Sequence, residues 1–341
     1  MTRSENSPLL TQYSRILVTG GAGFVGRHLV GALRSLGKEV VVLDNLSTTD
    51  FKTVLPDVTL AQADIREAEQ VMEAAKAAEL VFHLAANANG TVSVRNPRLH
   101  LETNTLGTFN VLEAALSRGA KRLVYVSSAS VYGRPQRFPI DEEHPTKPFV
   151  PYGATKLGGE LCCLAFAGTY GLPITIVRPF CVYGPGESPD LALVEVSRYL
   201  RWHLNGMPIR IVGDMARKTR DFVYVSDVVQ AVLLLADKSD GCGVFNVGSG
   251  EEVSMQGLAE VIGSVTGRPA ALLQISHVME DSYRLVADIS KIRALGYVPR
   301  VSLAEGVGQL VSELGDNPQL PTGETIFKRG QRAEGFDPWS L

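Results

Sequence analysis

Between Ile16 and Val30 the chain reads ILVTGGAGFVGRHLV, an apolar run, a glycine cluster and then an amphipathic segment. Gly21, Gly23 and Gly26 match G-x-G-x-x-G, and Gly20, Gly23 and Gly26 match its three-spaced variant. Glycines at these spacings allow a tight turn from strand to helix and let the backbone approach a pyrophosphate at the helix N-terminus. The next apolar run, EVVVLDNLS, ends in Asp44 and Asn45, roughly twenty residues further on. A carboxylate there binds adenosine ribose hydroxyls and repels a 2′-phosphate, so the pattern predicts NAD in preference to NADP.

Outward from this stretch two signals alternate. RILVTG, EVVVLD, ELVFHLAA, RLVYVSS and ITIVRPF read as buried parallel strands. GFVGRHLVGALRSLG, REAEQVMEAAKAA, TLGTFNVLEAALSRG and YGATKLGGELCCLAFAGTYG read as helices between them, with Leu106, Phe109, Leu112 and Leu116 forming one apolar face of the third. Gly37, Gly119 and Gly171 stand where helices stop before a strand. Repeated βα alternation predicts an α/β chain with a Rossmann-type doubly wound parallel sheet. After Pro185 the pattern loosens into LALVEVSRYLRWHLNG, IRIVG, VSDVVQAVLLLAD and GVFNVG, predicting a smaller mixed α/β C-terminal lobe. The expected division is a tail over 1–14, a nucleotide-binding domain over 15–185 with segments of 220–250 returning to it, a lobe over 186–315, and a partly disordered tail over 316–341.

Composition narrows the function classes. A net charge of −3 gives no footprint for nucleic acid or an anionic membrane, and no apolar run is long enough to span a bilayer. The four cysteines (Cys162, Cys163, Cys181, Cys242) lack metal-ligand spacing, and His28, His100, His144 and His203 are scattered, so no metal site is expected. His83, at a buried strand end, reads as structural. Free thiols and the absence of a signal-peptide core in MTRSENSPLLTQYSR predict a cytoplasmic protein.

The chemistry is carried by PYGATK and VYVSSASVYG. Tyr152 and Lys156 lie four apart at the start of a predicted helix and share one face. A tyrosine is a poor base at its ordinary pKa of about 10. A nearby ammonium and the cationic nicotinamide ring favour the phenolate, which then accepts a hydroxyl proton as hydride leaves the same carbon. SSAS closes a strand with hydroxyls, and Ser128 is the one expected to bond the substrate hydroxyl and its developing oxyanion. Ser127 and Ser130 also fit a simple strand-capping turn.

These motifs, with ADI, HLAA, NTLGT, RPFCVYGPG, TRDFVYVSDV and FNVGSG, resemble the extended short-chain dehydrogenase/reductase superfamily in its nucleotide-diphosphate-sugar epimerase/dehydratase branch, from about Arg15 to about Pro299. The resemblance implies a catalytic set of Ser128, Tyr152 and Lys156. It implies NAD contacts from Gly20, Gly23, Phe24, Val25, Gly26, Asp44, Asn45, Asp64, Ile65, Leu84, Ala85, Ala86, Asn104, Tyr152, Lys156 and Pro179. It implies substrate contacts from Ser128, Ser130, Cys181, Arg220 and Asp281, with Arg220 on the diphosphate and Asp281 on the nucleoside ribose. For Arg220 the bland alternative is an ion pair with Asp221 or Asp227.

In relatives that are 4,6-dehydratases, the two positions after the catalytic hydroxyl carry Asp and Glu, and related decarboxylases keep a Glu at the second. Here they are Ala129 and Ser130. A 4-epimerase needs neither acid, so the resemblance implies carbon-4 epimerisation of a nucleotide-diphosphate sugar through a 4-keto intermediate. The sugar is a hexose, N-acetylhexosamine or hexuronate, most readily as its UDP derivative. The alternatives are a dehydratase or decarboxylase with relocated acids, an NADPH ketoreductase, or a non-catalytic NAD-binding protein. Two positions depart from the family: Cys181 replaces the usual Asn, and His277 stands where an Arg is common before Asp281. Helices equivalent to 104–118 and 152–171 commonly pair in relatives, which implies a homodimer.

Overall fold

A computed structural model of the chain describes residues 9–47, 58–88, 90–189, 194–239, 241–275 and 284–321. Six strands, β1 (Arg15–Thr19), β2 (Glu39–Asp44), β3 (Thr59–Gln62), β4 (Leu80–His83), β5 (Arg122–Val126) and β6 (Ile174–Pro179), are joined by the strand Cys242–Val247. All pair in parallel, in the order Cys242–Val247, β6, β5, β4, β1, β2, β3. Successive strand side chains point to opposite faces, and both faces here are covered by helices. Ile16, Val18, Val42, Phe82 and Val124 join one apolar core, while Leu17, Val41, Val81, Leu123 and Ile176 join the other. This explains why the strands read as unbroken apolar runs. The strand β3 did not read so, because TLAQ is an edge strand with no fully buried residue.

Smaller sheets pair Phe222–Tyr224 with Cys181–Tyr183, and Leu272–Ile275 with Ile209–Val212. A third places Thr219–Arg220 between Val253–Ser254 and Arg284–Leu285. Helices Glu195–Leu204, Met255–Thr266 and Leu303–Leu314 close a third core around Leu200, Ile209, Ile211, Leu258, Ile262, Val307 and Leu310. Phe24 and Val25, at the start of the first helix of the large sheet, pack against it. His28 on that helix reaches the Pro185 carbonyl at 2.9 Å.

Three local features differ from the sequence expectation. The segment before β1 is packed: Leu10 and Tyr13 are buried, and Lys38 Nζ donates to both of their carbonyls at 2.8 and 2.9 Å. At the other end, Arg201 Nη1 donates to Gln319 O and Asn205 Nδ2 to Pro318 O, both at 2.8 Å. In the helix after β4, Val111, Leu112, Ala114 and Ala115 are buried, whereas Leu106 and Phe109 are 54% and 40% exposed. The expected apolar stripe therefore straddles core and surface. Within the regular helix Gly107–Ser117 the buried face is formed by Thr108, Val111, Leu112 and Ala115, so the expected stripe lies along its edge; a π-helical turn over Glu102–Leu106 precedes it.

Candidate active site

In the sheet, β1 lies between β4 and β2, so the chain leaves the switch point in both directions and opens a crevice at the carboxyl ends of β1 and β4. The glycine turn lies there. Gly20 has φ +70°, and a Cβ on it would stand 2.6 Å from the Ala85 amide nitrogen. A Cβ on Gly26 would run into the Gly20 carbonyl. The turn is thus a cradle that admits no side chain. It opens the helix Phe24–Ser35 at Gly23, with no side-chain cap and no acid in the first turn. An uncapped positive helix end suits a diphosphate.

Asp44 closes one flank, its carboxylate accepting from the Ala22 amide at 3.0 Å and the Leu46 amide at 2.9 Å. Beside it Asn45 Nδ2 donates to Asp64 Oδ2 at 2.9 Å. Arg66 grips both oxygens of Asp64 at 3.0 and 2.9 Å and is the main reason its pKa is pulled down to about 2. Ile65 is buried; Leu84, Ala85 and Ala86 form a half-buried strip leaving β4, and Pro179 ends β6. A cradle closed to side chains, an unneutralised helix end and a flanking carboxylate fit NAD. When bound, NAD supplies reversible hydride acceptance.

The proton chemistry lies opposite. Val150 is extended, Pro151 takes the first helical position and the helix runs to Tyr170, so Tyr152 and Lys156 fall in its first two turns. Lys156 is 2% exposed; its Nζ donates to the Val126 carbonyl at 2.6 Å and sits 4.5 Å above the Tyr125 ring. Burial lowers its pKa to about 8 against the opposing pull of Glu160 and Cys163. Two residues beyond Val126, Ser128 caps a 3₁₀ turn over Ala129–Tyr132: its Oγ accepts from the Ser130 amide and lies 3.1 Å from Ser130 Oγ. Burial raises the Tyr152 phenol, and a hydrogen bond with Ser128 acts against it. Ser128 and Tyr152 therefore meet, and Lys156 is tied to the end of the strand that leads to Ser128. The two positions after Ser128 carry a methyl and a hydroxyl.

A buried ion pair underlies this turn. Arg178 on β6 holds Glu160 through Nε–Oε1 at 2.9 Å and Nη2–Oε2 at 2.6 Å, and donates to the Tyr132 hydroxyl at 3.0 Å. The Tyr132 hydroxyl donates to Asn246 Oδ1 at 2.6 Å.

On the lobe side Arg220 is buried, and its Nη1 donates to the Thr219 carbonyl at 2.9 Å. Asp221 accepts from Ser249, Gly250 and Ala287, and Asp227 from the Arg300 and Val301 amides. Arg220 Nε lies 3.6 Å from Glu195 Oε1. Cys181 is half-buried, its amide donating to the Asp221 carbonyl at 3.0 Å. Asp281 and His277 lie outside the described residues. Sequence reasoning did not single out Glu195, or Glu187, whose pKa burial raises to about 8 and whose Oε2 has no hydrogen-bond partner. Their only signal was an acid within otherwise apolar or turn-forming runs. It also left open Ser127, whose hydroxyl is buried without a partner.

Comparison with known proteins places this geometry. Residues 16–248 match the model of the NAD dependent epimerase/dehydratase family. A putative UDP-glucose 4-epimerase of Methanocaldococcus jannaschii is 35% identical over 89% of this chain and 99% of its own. The crystal structure of a UDP-glucose 4-epimerase with UDP-glucose from Thermotoga maritima superposes with a TM-score of 0.83 at 34% identity, over 88% of this chain and 98% of that one. A dTDP-glucose 4,6-dehydratase from Streptomyces venezuelae, solved with NAD bound, gives 0.80 at 30% identity, over 87% and 96%. Both chemistries are built on this fold.

Proposed function

We propose that this chain, which belongs to the NAD-dependent epimerase/dehydratase family, epimerises a nucleotide-diphosphate sugar at carbon 4 using NAD without net redox change. The single observation carrying this choice is the turn after β5. Ser128 meets Tyr152 there, while the next two positions, Ala129 and Ser130, offer no carboxylate to expel a hydroxyl or take the carbon-5 proton.

Tyr152 accepts the proton of the 4-hydroxyl and later returns it to the 4-oxygen, so the residue ends as it began. Ser128 bonds that oxygen, orienting it and offsetting its negative charge. Lys156, anchored on the Val126 carbonyl, holds a positive charge near the phenol whenever its own proton is retained. The 4-keto sugar turns over between the two half-reactions, which inverts carbon 4. Arg220 takes the substrate diphosphate, to which its planar guanidinium is matched.

The cytoplasmic location and homodimeric state belong to the same reading. Four free thiols suit a reducing compartment. Leu106, Phe109, Leu161 and Leu164 are exposed on the adjoining helices Gly107–Ser117 and Pro151–Tyr170 and the turn before them, an apolar face suited to a second copy.

Proton NMR of UDP-, dTDP-, GDP- and CDP-sugars incubated with the protein, with and without NAD, tests the reading. A new anomeric signal at unchanged mass supports it and names the sugar. A 4-keto-6-deoxy product or loss of carbon dioxide overturns it in favour of a dehydratase or decarboxylase.

A further inference from the structure

A chain of buried polar groups runs under the crevice, and no step so far uses it. Thr19 ends β1, His83 ends β4, and Thr108 and Asn104 sit on the helix beyond; all four are at most 1% exposed. Thr19 Oγ1 lies 2.6 Å from His83 Nδ1, His83 Nε2 lies 2.9 Å from Thr108 Oγ1, and Thr108 Oγ1 donates to the Asn104 carbonyl at 2.7 Å. With the Thr108 proton on the Asn104 carbonyl and the Tyr125 hydroxyl as a further partner of Thr108, the remaining directions follow. A hydroxyl has one proton, and that of Thr108 is committed to Asn104. Thr108 therefore accepts from His83 Nε2–H. His83 Nδ1 then carries the lone pair and accepts from the Thr19 hydroxyl, whose oxygen is left to accept from the Ala85 amide at 3.2 Å. The imidazole is neutral with its proton on Nε2.

The two ends of this chain hold the same strip of backbone. At one end Thr19 holds the Ala85 amide. At the other, Asn104 Oδ1 accepts from the Asn87 amide at 2.8 Å while its Nδ2 donates to the Asn87 carbonyl and to Thr155 Oγ1, both at 3.1 Å. Thr155 Oγ1 donates in turn to the Tyr152 carbonyl at 3.0 Å.

We infer that His83 is a positioning residue: as a neutral Nε2–H imidazole it sets the backbone of residues 85–87 from both sides and ties that strip to the turn bearing Tyr152. The functional half of this inference rests on the reading of Leu84–Ala86 as the strip beside the cofactor. The groups facing the imidazole are Thr19, Thr108, the Tyr125 ring at 5.4 Å and the charge of Lys156. Burial and that charge push the His83 pKa down to about 3, so the neutral form persists across the working range. A charged ring would present a second N–H to Thr19 and turn its hydroxyl away.

Two measurements on the full-length chain decide the matter. Imidazole ¹⁵N NMR of wild type should show His83 neutral with the proton on Nε2 from pH 5.5 to 8. A protonated ring or an Nδ1–H tautomer overturns the inference without reference to any ligand. Calorimetric titration with NAD then compares wild type with Thr108→Val, which removes the acceptor of His83 and the donor to Asn104, and with Thr108→Ser, which keeps both. The expected result is an NAD affinity about tenfold weaker in Thr108→Val, restored in Thr108→Ser, with the His83 signals displaced only in the first. Unchanged NAD affinity and unchanged His83 signals in a folded Thr108→Val overturn it. If wild type itself binds no NAD, the proposed cofactor role fails, and the tautomer and its response to Thr108→Val still decide whether His83 organises this network.

Discussion

Lys156 and Val126 are bound directly: the ammonium donates to the carbonyl at 2.6 Å, two residues before Ser128. The residue expected to tune Tyr152 is thus tied to the strand end that carries its serine partner. An ammonium buried to 2% exposure lowers stability while it keeps its proton. Its folded pKa of about 8 lies below the ordinary lysine value of 10.5. Between those values the unfolded chain holds more protons than the folded one, so this group makes stability rise with pH over that window and contributes no pH dependence below it. Lys156→Met should abolish epimerisation and flatten the rise in thermal stability expected for wild type between pH 8 and 10.5. Melting curves across pH would read this; equal slopes for the two proteins would contradict it.

Tyr152→Phe keeps the ring and its packing but removes the proton acceptor. Turnover should fall by roughly 10²–10⁴-fold, with NAD affinity within about twofold of wild type. Ser128→Ala should lower kcat more than it raises KM, and Ser128→Thr should recover most of the loss. Steady-state kinetics with the sugar identified by NMR would check both.

If Arg220 takes the diphosphate as proposed, Glu195 competes with it, since a buried carboxylate 3.6 Å from the guanidinium also repels a diphosphate. Glu195→Gln should bind UDP several-fold more tightly, and Arg220→Met should weaken it at least tenfold. Calorimetry with UDP alone reads both. Weaker binding by Glu195→Gln would show that the acid orients Arg220 and does not oppose its ligand.

Breaking the Arg178–Glu160 pair leaves a charge buried without its partner. Arg178→Met should cost about 3–5 kcal/mol of stability. Chemical denaturation would measure this, and a loss below 1 kcal/mol would mean that water reaches Glu160.

The exposed leucines of the Pro151–Tyr170 helix give a test of assembly. Leu161→Glu should yield a monomer by light scattering at micromolar concentration where wild type is a dimer. A monomeric wild type removes the dimer from the reading.

The sheet and the glycine cradle were legible because each rests on a local rule: apolar runs for strands covered on both faces, and glycines where a Cβ would strike backbone. Ser128, Tyr152 and Lys156 were singled out through motif order, and the structure places Ser128 against Tyr152. Glu195 was not, because its pairing with Arg220 depends on how helix Glu195–Leu204 meets the strand Thr219–Arg220 across the lobe. The phase of Leu106 and Phe109 was misread for a different reason. The helix carries a second apolar edge beside its buried face of Thr108, Val111, Leu112 and Ala115, and periodicity alone does not say which of the two meets the sheet.

The wide turn at Glu102–Leu106 amounts to one residue more than a regular helix would hold, and Asn104 lies inside it. A deletion of one residue between 102 and 106 would let the backbone run as an ordinary α-helix. The two flanks would keep nearly the same phase, because the wide turn already absorbs the extra residue, but the side chains within the turn would be re-aimed. Asn104 would lose Asn87 and Thr155 together. Such a shortened chain would have the more regular helix and the poorer site, so for this segment the length of the chain is itself under functional constraint.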